Sequence, residues 1–279
     1  MMAQQERGTV NLTYWGVTLT LPTGWTAQRG DNALGVSADD GSGVILIIPH
    51  ALKTLAEIKT NLEQGFKIGE DTDMQATEYA TTISPTQAGA PLAGTFNGGD
   101  AMGYLLGITN AKGQGLTVFA LTNPEFYDAI KFKNLAIGIG ASLKFTTPAP
   151  PPNANYWKTK LGGCVLSAFE SYNGGSSGGY SSEMRIDLCT NGNCRYFSQS
   201  SVSMYGGGLN GGSNDSNSGN GKWTLSADIE GHPMLNLHLT DGAEYAFLLG
   251  ENGGKISLNS NACNRTTAAD GGQWAPQCD

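Results

Sequence analysis

The chain has 279 residues, 40 of them glycine, and a formal net charge of −8. That length predicts two domains with a core each, and so much glycine with a charged fraction of 14% favours strands, tight turns and polar loops over long helices. Basic residues are outnumbered by acidic ones on both sides of the proline stretch near residue 150, so neither half carries the clustered cations that nucleic acid or an anionic membrane surface requires.

The N-terminal segment Met1-Met2-Ala3-Gln4-Gln5-Glu6 lacks the charged and apolar parts of a signal peptide. Met1 reads as an addition and the glutamines as residues that follow signal cleavage. The expectation is therefore an exported bacterial chain, periplasmic or extracellular, whose signal peptide has been removed. No apolar run approaches the ~20 residues of a transmembrane helix, and the longest, Val44 to Ile48, reads as a buried strand.

Val17-Thr18-Leu19-Thr20-Leu21 alternates as a strand and ends at a turn, Pro22-Thr23-Gly24-Trp25. Strands over 33–38 and 43–48 follow, parted by Asp39-Asp40-Gly41. Thr54-Leu55-Ala56-Glu57 is a capping box, and Leu55, Ile58, Leu62 and Phe66 share one helical face, which predicts a helix over 54–66. Strands over 90–97, 102–110 and 115–121 come next. Asn123 as cap and Pro124 in the first turn open a second helix that runs to about residue 141, and a short strand at 142–145 closes the unit. Residues 1–146 thus predict an α+β layer sandwich, an antiparallel sheet with flanking helices.

Residues 147–153 contain four prolines, each without an amide hydrogen, and predict an extended, stiff linker. Beyond it, over residues 154–279, alternation dominates. Met184, Ile186 and Leu188 face one way and Arg185 and Asp187 the other. Trp223, Leu225 and Ala227 repeat the pattern, as do Leu235, Leu237 and Leu239. Asp241-Gly242 turns into Tyr245, Phe247 and Leu249, and Ile256 with Leu258 supplies a last strand. Seven or eight antiparallel strands predict a closed barrel, which removes exposed edges.

Two family resemblances accompany these elements. "LTLPTGW", the helix after "ILIIP" and the ending "LTNPEFYDAIKFKNLAIGIGASLKF" resemble the PsbP and DcrB-like fold family over residues 10–146. That resemblance implies a protein-binding rather than a catalytic role. "GKWTL", "LNLHLTDGAEYAFLL" and "KISLN" are similar to lipocalin-like domains of exported bacterial proteins. One departure is that Gly221-Lys222-Trp223 lies in the middle of the domain, where lipocalins carry this element on their first strand.

All five cysteines, Cys164, Cys189, Cys194, Cys263 and Cys278, lie in the second half. Asn191-Gly192 at the centre of Cys189–Cys194 is a two-residue hairpin signal, and that register sets Cys189 opposite Cys194 at disulfide distance. The alternatives are two unpaired buried thiols or half a metal site. Cys263 and Cys278 bracket a terminal loop that a second bridge would staple. Cys164 reads as a buried small hydrophobe. Two bridges imply an oxidising compartment.

No catalytic constellation stands out. His50, His232 and His238 form no pair with metal-ligand spacing and read as solvated or turn residues. Glu70, Asp71, Asp73 and Glu78 read as an acidic solvated loop, without the apolar pocket that would raise one of their pKa values. Asp39-Asp40-Gly41-Ser42 and Asn214 to Asn220 offer oxygen ligands, but without the spacing of a calcium loop. Neither a metal nor a cofactor is expected. Two glycine and serine tracts, Asn173 to Gly179 and Tyr205 to Gly221, predict flexible loops at one end of the barrel. Tyr172, Tyr180 and Tyr205 flank them and Trp223 follows closely, which makes these four the candidate binding residues; the alternative reading of the same tracts is a tolerated insertion. The sequence thus predicts a non-catalytic protein that binds a partner protein or a small apolar ligand. A hydrolase whose site assembles only in three dimensions and a structural envelope component are the competing readings.

Overall fold

The computed structural model describes residues 5–30, 32–173, 178–206, 209–271 and 275–278; at positions 68, 173, 178, 203–206 and 209–213 it describes the backbone alone. The chain divides into two compact units, Met1–Ala149 with Asp228–Glu230, and Pro150–Ala227 with Gly231–Asp279. Among the described residues no helix is long and apolar enough to cross a membrane.

The first unit is the expected α+β domain. Its elements are β1 (Gln5–Glu6), β2 (Thr9–Leu12), β3 (Val17–Thr20), β4 (Trp25–Arg29), β5 (Leu34–Ala38), β6 (Val44–His50), α1 (Leu55–Glu63), β7 (Phe66–Ile68), β8 (Thr72–Ala76), β9 (Thr81–Ser84), β10 (Gln87–Phe96), β11 (Gly99–Thr109), β12 (Gly115–Thr122), α2 (Ala129–Ser142) and β13 (Lys144–Phe145). A ten-stranded sheet runs β1-β4-β5-β6-β12-β11-β10-β8-β7, with β9 beside β10, and a second sheet runs β13-β3-β2. Every residue of β12 is buried, because both faces of the large sheet are covered. On one face Ile58 and Leu62 of α1 pack with Met74, Leu92, Leu105 and Phe119. On the other, Phe132, Ala136 and Ile139 of α2 pack with Leu12, Leu19, Ile45, Leu106 and Val118. Gly107 allows the first contact, since a Cβ there would lie 2.5 Å from Ile58 Cγ2.

The capping box forms as read: the Glu57 N–H donates to Thr54 Oγ1 at 3.2 Å, and the Thr54 N–H donates to Glu57 Oε2 at 2.9 Å. The helix is shorter than expected, and Phe66 opens β7 instead, its ring 4.6 Å from that of Phe119. Asn123 caps no α-helix. It precedes a single 3-10 turn at Pro124–Phe126 and makes no side-chain cap bond, whereas Asp128 caps α2 by accepting from the N–H groups of Ile130 and Lys131. The acidic stretch at 70–78 is not wholly loop either: Asp73 lies in β8, opposite Lys67 and Thr95. Asp39 is engaged by Arg7 and Thr26, and Asp40 accepts from the Ser42 N–H.

The start of the proline stretch is bound rather than free. The Thr146 N–H donates to Gly16 O at 2.7 Å and the Ala149 N–H to Thr13 O at 3.0 Å. Gly16 has φ +64°, and a Cβ on it would lie 2.5 Å from Thr146 O, so this docking depends on glycine.

The second unit opens with a helix that the sequence did not reveal, α3 (Ala154–Leu161), followed by β14 (Cys164–Asn173), β15 (Gly178–Leu188), β16 (Asn193–Gly206), β17 (Leu209–Ala227), β18 (Pro233–Leu239), β19 (Glu244–Asn252), β20 (Lys255–Leu258) and β21 (Asn261–Thr267). These eight strands form a closed antiparallel barrel in chain order, sealed where β14 pairs with β21 over Cys164–Ser167. The alternation read in the sequence is the in/out pattern of the wall. Leu166, Ile186, Leu188, Tyr196, Trp223, Leu235, Leu237 and Ile256 fill the interior, joined by Trp157 and Leu161 of α3. The helix is tied to the wall by Lys160 and Tyr156, both bonded to Glu251, and by Arg265 Nε, which donates to Lys160 O at 2.8 Å.

Candidate interaction surface

Four barrel strands are longer than closure requires. β17 pairs with β18 only over Gly221–Ala227, while its pairing with β16 runs from Leu209 to Lys222. β14 pairs with β21 only over Cys164–Ser167, while its pairing with β15 runs on to Asn173. The excess of all four strands forms an antiparallel sheet extending from the barrel wall. This overturns the expectation of flexible loops: apart from residues 174–177 and 207–208, which lie outside the described residues, both glycine and serine tracts are strand. Asn, Ser and Gly have low strand propensity, but in-register pairing with β16 supplies the backbone partners that local sequence cannot.

Tyr172 lies opposite Tyr180, and Tyr180 opposite Val202. By the two-residue period these three continue the inward row of the wall: Leu166, Ala168, then Tyr172 on β14, and Ile186, Met184, then Tyr180 on β15. Beyond the barrel no core receives them among the described residues, and they are 70%, 39% and 41% exposed. The neighbouring row on the same face runs Glu170, Ser182, Ser200, Asp215. Phe169, on the opposite face, is 68% exposed. Single exposed apolar residues need no explanation, but a contiguous row across three strands does.

Of the other two candidate residues, Tyr205 lies in β16 opposite Asn210, and its side chain is outside the described residues. Trp223 does not join the row. It is buried in the barrel, and its Nε1 donates to Cys189 O at 2.9 Å.

The cysteines are joined differently from the sequence reading: Cys189 bonds Cys278, while Cys164, Cys194 and Cys263 are free and buried. The cause is the turn. A two-residue type I′ hairpin needs positive φ at both central residues, as Asn97-Gly98 has between β10 and β11. At Asn191-Gly192 only the glycine has positive φ, at +82°. Leu188, not Cys189, therefore pairs with Cys194, and this one-residue shift turns Cys194 into the core and leaves Cys189 for the C-terminal tail. The tail is also held by the Gln277 N–H, which donates to Asp187 Oδ2, and by Ala275 O, which accepts from Arg185 Nη2 at 3.2 Å. Burial pushes the Cys164 thiol up to about 11 and raises those of Cys194 and Cys263, so none is a ready nucleophile.

A cleft of about 540 Å³ lies beside this disulfide, lined by Asn193, Arg195, Lys222, His238, Thr240 and Gln277 among others. His238 bridges two residues, with Nδ1 3.1 Å from Glu244 Oε1 and Nε2 3.4 Å from Thr224 Oγ1. All three stand on the water-facing side of β17, β18 and β19. His50, expected in a solvated turn, closes β6 with its Nδ1 accepting the Leu52 N–H at 3.1 Å. Among the described residues no three or more of His, Cys, Asp and Glu gather as a metal would require.

The sequence matches no model of a known protein family, and no curated protein matches it.

Proposed function

We propose that this is a non-catalytic exported protein that binds a partner protein through the face of the barrel extension bearing Tyr172, Tyr180 and Val202. The observation that carries this reading is the alignment of those three exposed side chains in one cross-strand row. Two adjacent tyrosines offer large contact area with little side-chain entropy to lose, and the paired strands β14 and β15 set them side by side. Binding of a small apolar ligand, the other half of the expectation, is less well supported, since side chains occupy the barrel interior.

Export is supported by the Cys189–Cys278 disulfide, since such bonds persist in oxidising compartments. The sheet flanked by α1 and α2 supports the PsbP-like reading of the first unit, and a barrel of eight strands in chain order supports the lipocalin-like reading of the second.

The test is the double variant Tyr172→Ala/Tyr180→Ala. Immobilised wild-type protein should retain a protein from extracts of the cells that make it, and the variant, folded by circular dichroism, should not. Equal retention removes the assignment. The competing hydrolase reading has one specific observation, the Thr224–His238–Glu244 chain. Ester hydrolysis by the wild type that His238→Ala abolishes would favour it.

A further inference from the structure

We propose that the free edge of β17 at Asn214–Gly219 takes up an extended, basic segment of a partner protein as an added strand. This rests on the reading of the extension as the contact surface and names what it contacts.

Three observations carry the inference. First, β17 pairs with β16 through this stretch, but its pairing with β18 begins only at Gly221. Among the described residues, Asn214–Gly219 therefore has one side without a strand, over about 20 Å at the rise of an antiparallel strand, ending where Leu239 abuts Gly219 and the Thr240 N–H donates to Asn220 O at 2.9 Å. Second, of the devices that guard an edge against strand addition, this one carries no Lys, no Pro and no bulge, and its single charge is Asp215, which guards it against any strand that does not bring a cation. The residues are Asn214-Asp215-Ser216-Asn217-Ser218-Gly219, and their register with β16 is unbroken. Such an edge is a ready template for an incoming strand.

Third, charge selects the occupant. The extension carries the acids Glu170, Glu183 and Asp215; the nearest cations, Arg185 in the row of Ser218 and Arg195 opposite Asn220, are engaged by Ala275 and Gln277 of the C-terminal tail. The same segment of a second copy would bring Asp215 no cation. A strand bearing Lys or Arg beside Asp215 would instead gain a cross-strand ion pair.

The experiment uses the full chain, isotope-labelled, with a synthetic peptide of alternating lysine and valine as probe and one of alternating glutamate and valine as control. The basic peptide should slow amide exchange at Asn214–Gly219 by about tenfold or more, and added salt should weaken the effect. The acidic peptide should do nothing. Methylating alternate backbone nitrogens of the basic peptide should weaken binding by about tenfold, and Asp215→Lys should weaken it without unfolding the barrel. Protection at the β14 edge instead, equal binding of both peptides, no binding, or self-association that protects β17 would each overturn the inference. If the tyrosine variant loses its partner while the basic peptide leaves β17 unchanged, strand addition alone falls. If β17 takes the peptide while the tyrosine variant keeps its partner, the tyrosine face is the part that fails.

Discussion

The main-chain N–H of Gln277 donates to Asp187 Oδ2 at 3.1 Å, a contact spanning 90 residues of sequence. Asp187 faces outward from β15 by the strand period, yet it is 1% exposed, because the tail lies over it and Arg185 Nε donates to its Oδ1 at 2.8 Å. A carboxylate buried this way needs all its donors. Asp187→Ala should lower the stability of the barrel by about 3 kcal/mol, read by urea unfolding. A change within about 0.5 kcal/mol would mean that the tail contributes nothing there.

Joining Cys189 to Cys278 leaves three thiols. Unreduced, denatured protein should therefore react with three equivalents of a thiol reagent. The native protein should react far more slowly, because all three are buried and burial pushes the Cys164 thiol up to about 11. Cys278→Ser should lower barrel stability by about 2–4 kcal/mol. One reactive thiol would restore the two-bridge pattern, and five would remove the argument for an oxidising compartment.

Gly16→Ala should destabilise the first unit. The new Cβ would meet Thr146 O at 2.5 Å, and the backbone would be strained at φ +64°. A loss of about 1–3 kcal/mol is expected. Calorimetry should show it, with the Thr146 amide exchanging faster.

His50 should make the first unit sensitive to acid. Burial lowers its pKa below 6.5, so the folded state favours the neutral ring. Well above pH 6.5 neither folded nor unfolded chain holds the proton, and this residue adds no slope. As pH falls below that value the unfolded chain binds a proton that the folded ring resists. Stability is then lost, at up to about 1.4 kcal/mol per pH unit, until the pH reaches the lowered folded value. His50→Gln should flatten this part of the pH profile relative to the wild type. Identical profiles would show that the ring titrates normally.

Much of this architecture is legible in the residues. Thr54 and Glu57 announce α1 because a capping box is local. The inward row of the barrel is legible because Ile186, Leu188, Leu235 and Leu237 alternate with polar neighbours. The extension is not, since Asn214 to Asn220 is polar on both faces and so has no period to read. Its conformation is set by β16, a non-local partner. The cysteine pairing failed for a related reason. Asn191-Gly192 suits more than one turn, and the choice between them moved Cys194 by a single register step and so to the opposite side of the wall. Tyr172 and Tyr180 were legible as candidates by composition, but only the strand register shows that they are neighbours.

In the proposed function a partner protein contacts the row of Tyr172, Tyr180 and Val202. A photo-reactive phenylalanine analogue placed at Tyr180, and for comparison at Leu248, which is exposed on the barrel wall, tests this directly in cells that make the protein. Irradiation should yield one discrete crosslinked protein from position 180 and none from 248. Crosslinks from both positions alike, or from 248 alone, would contradict it.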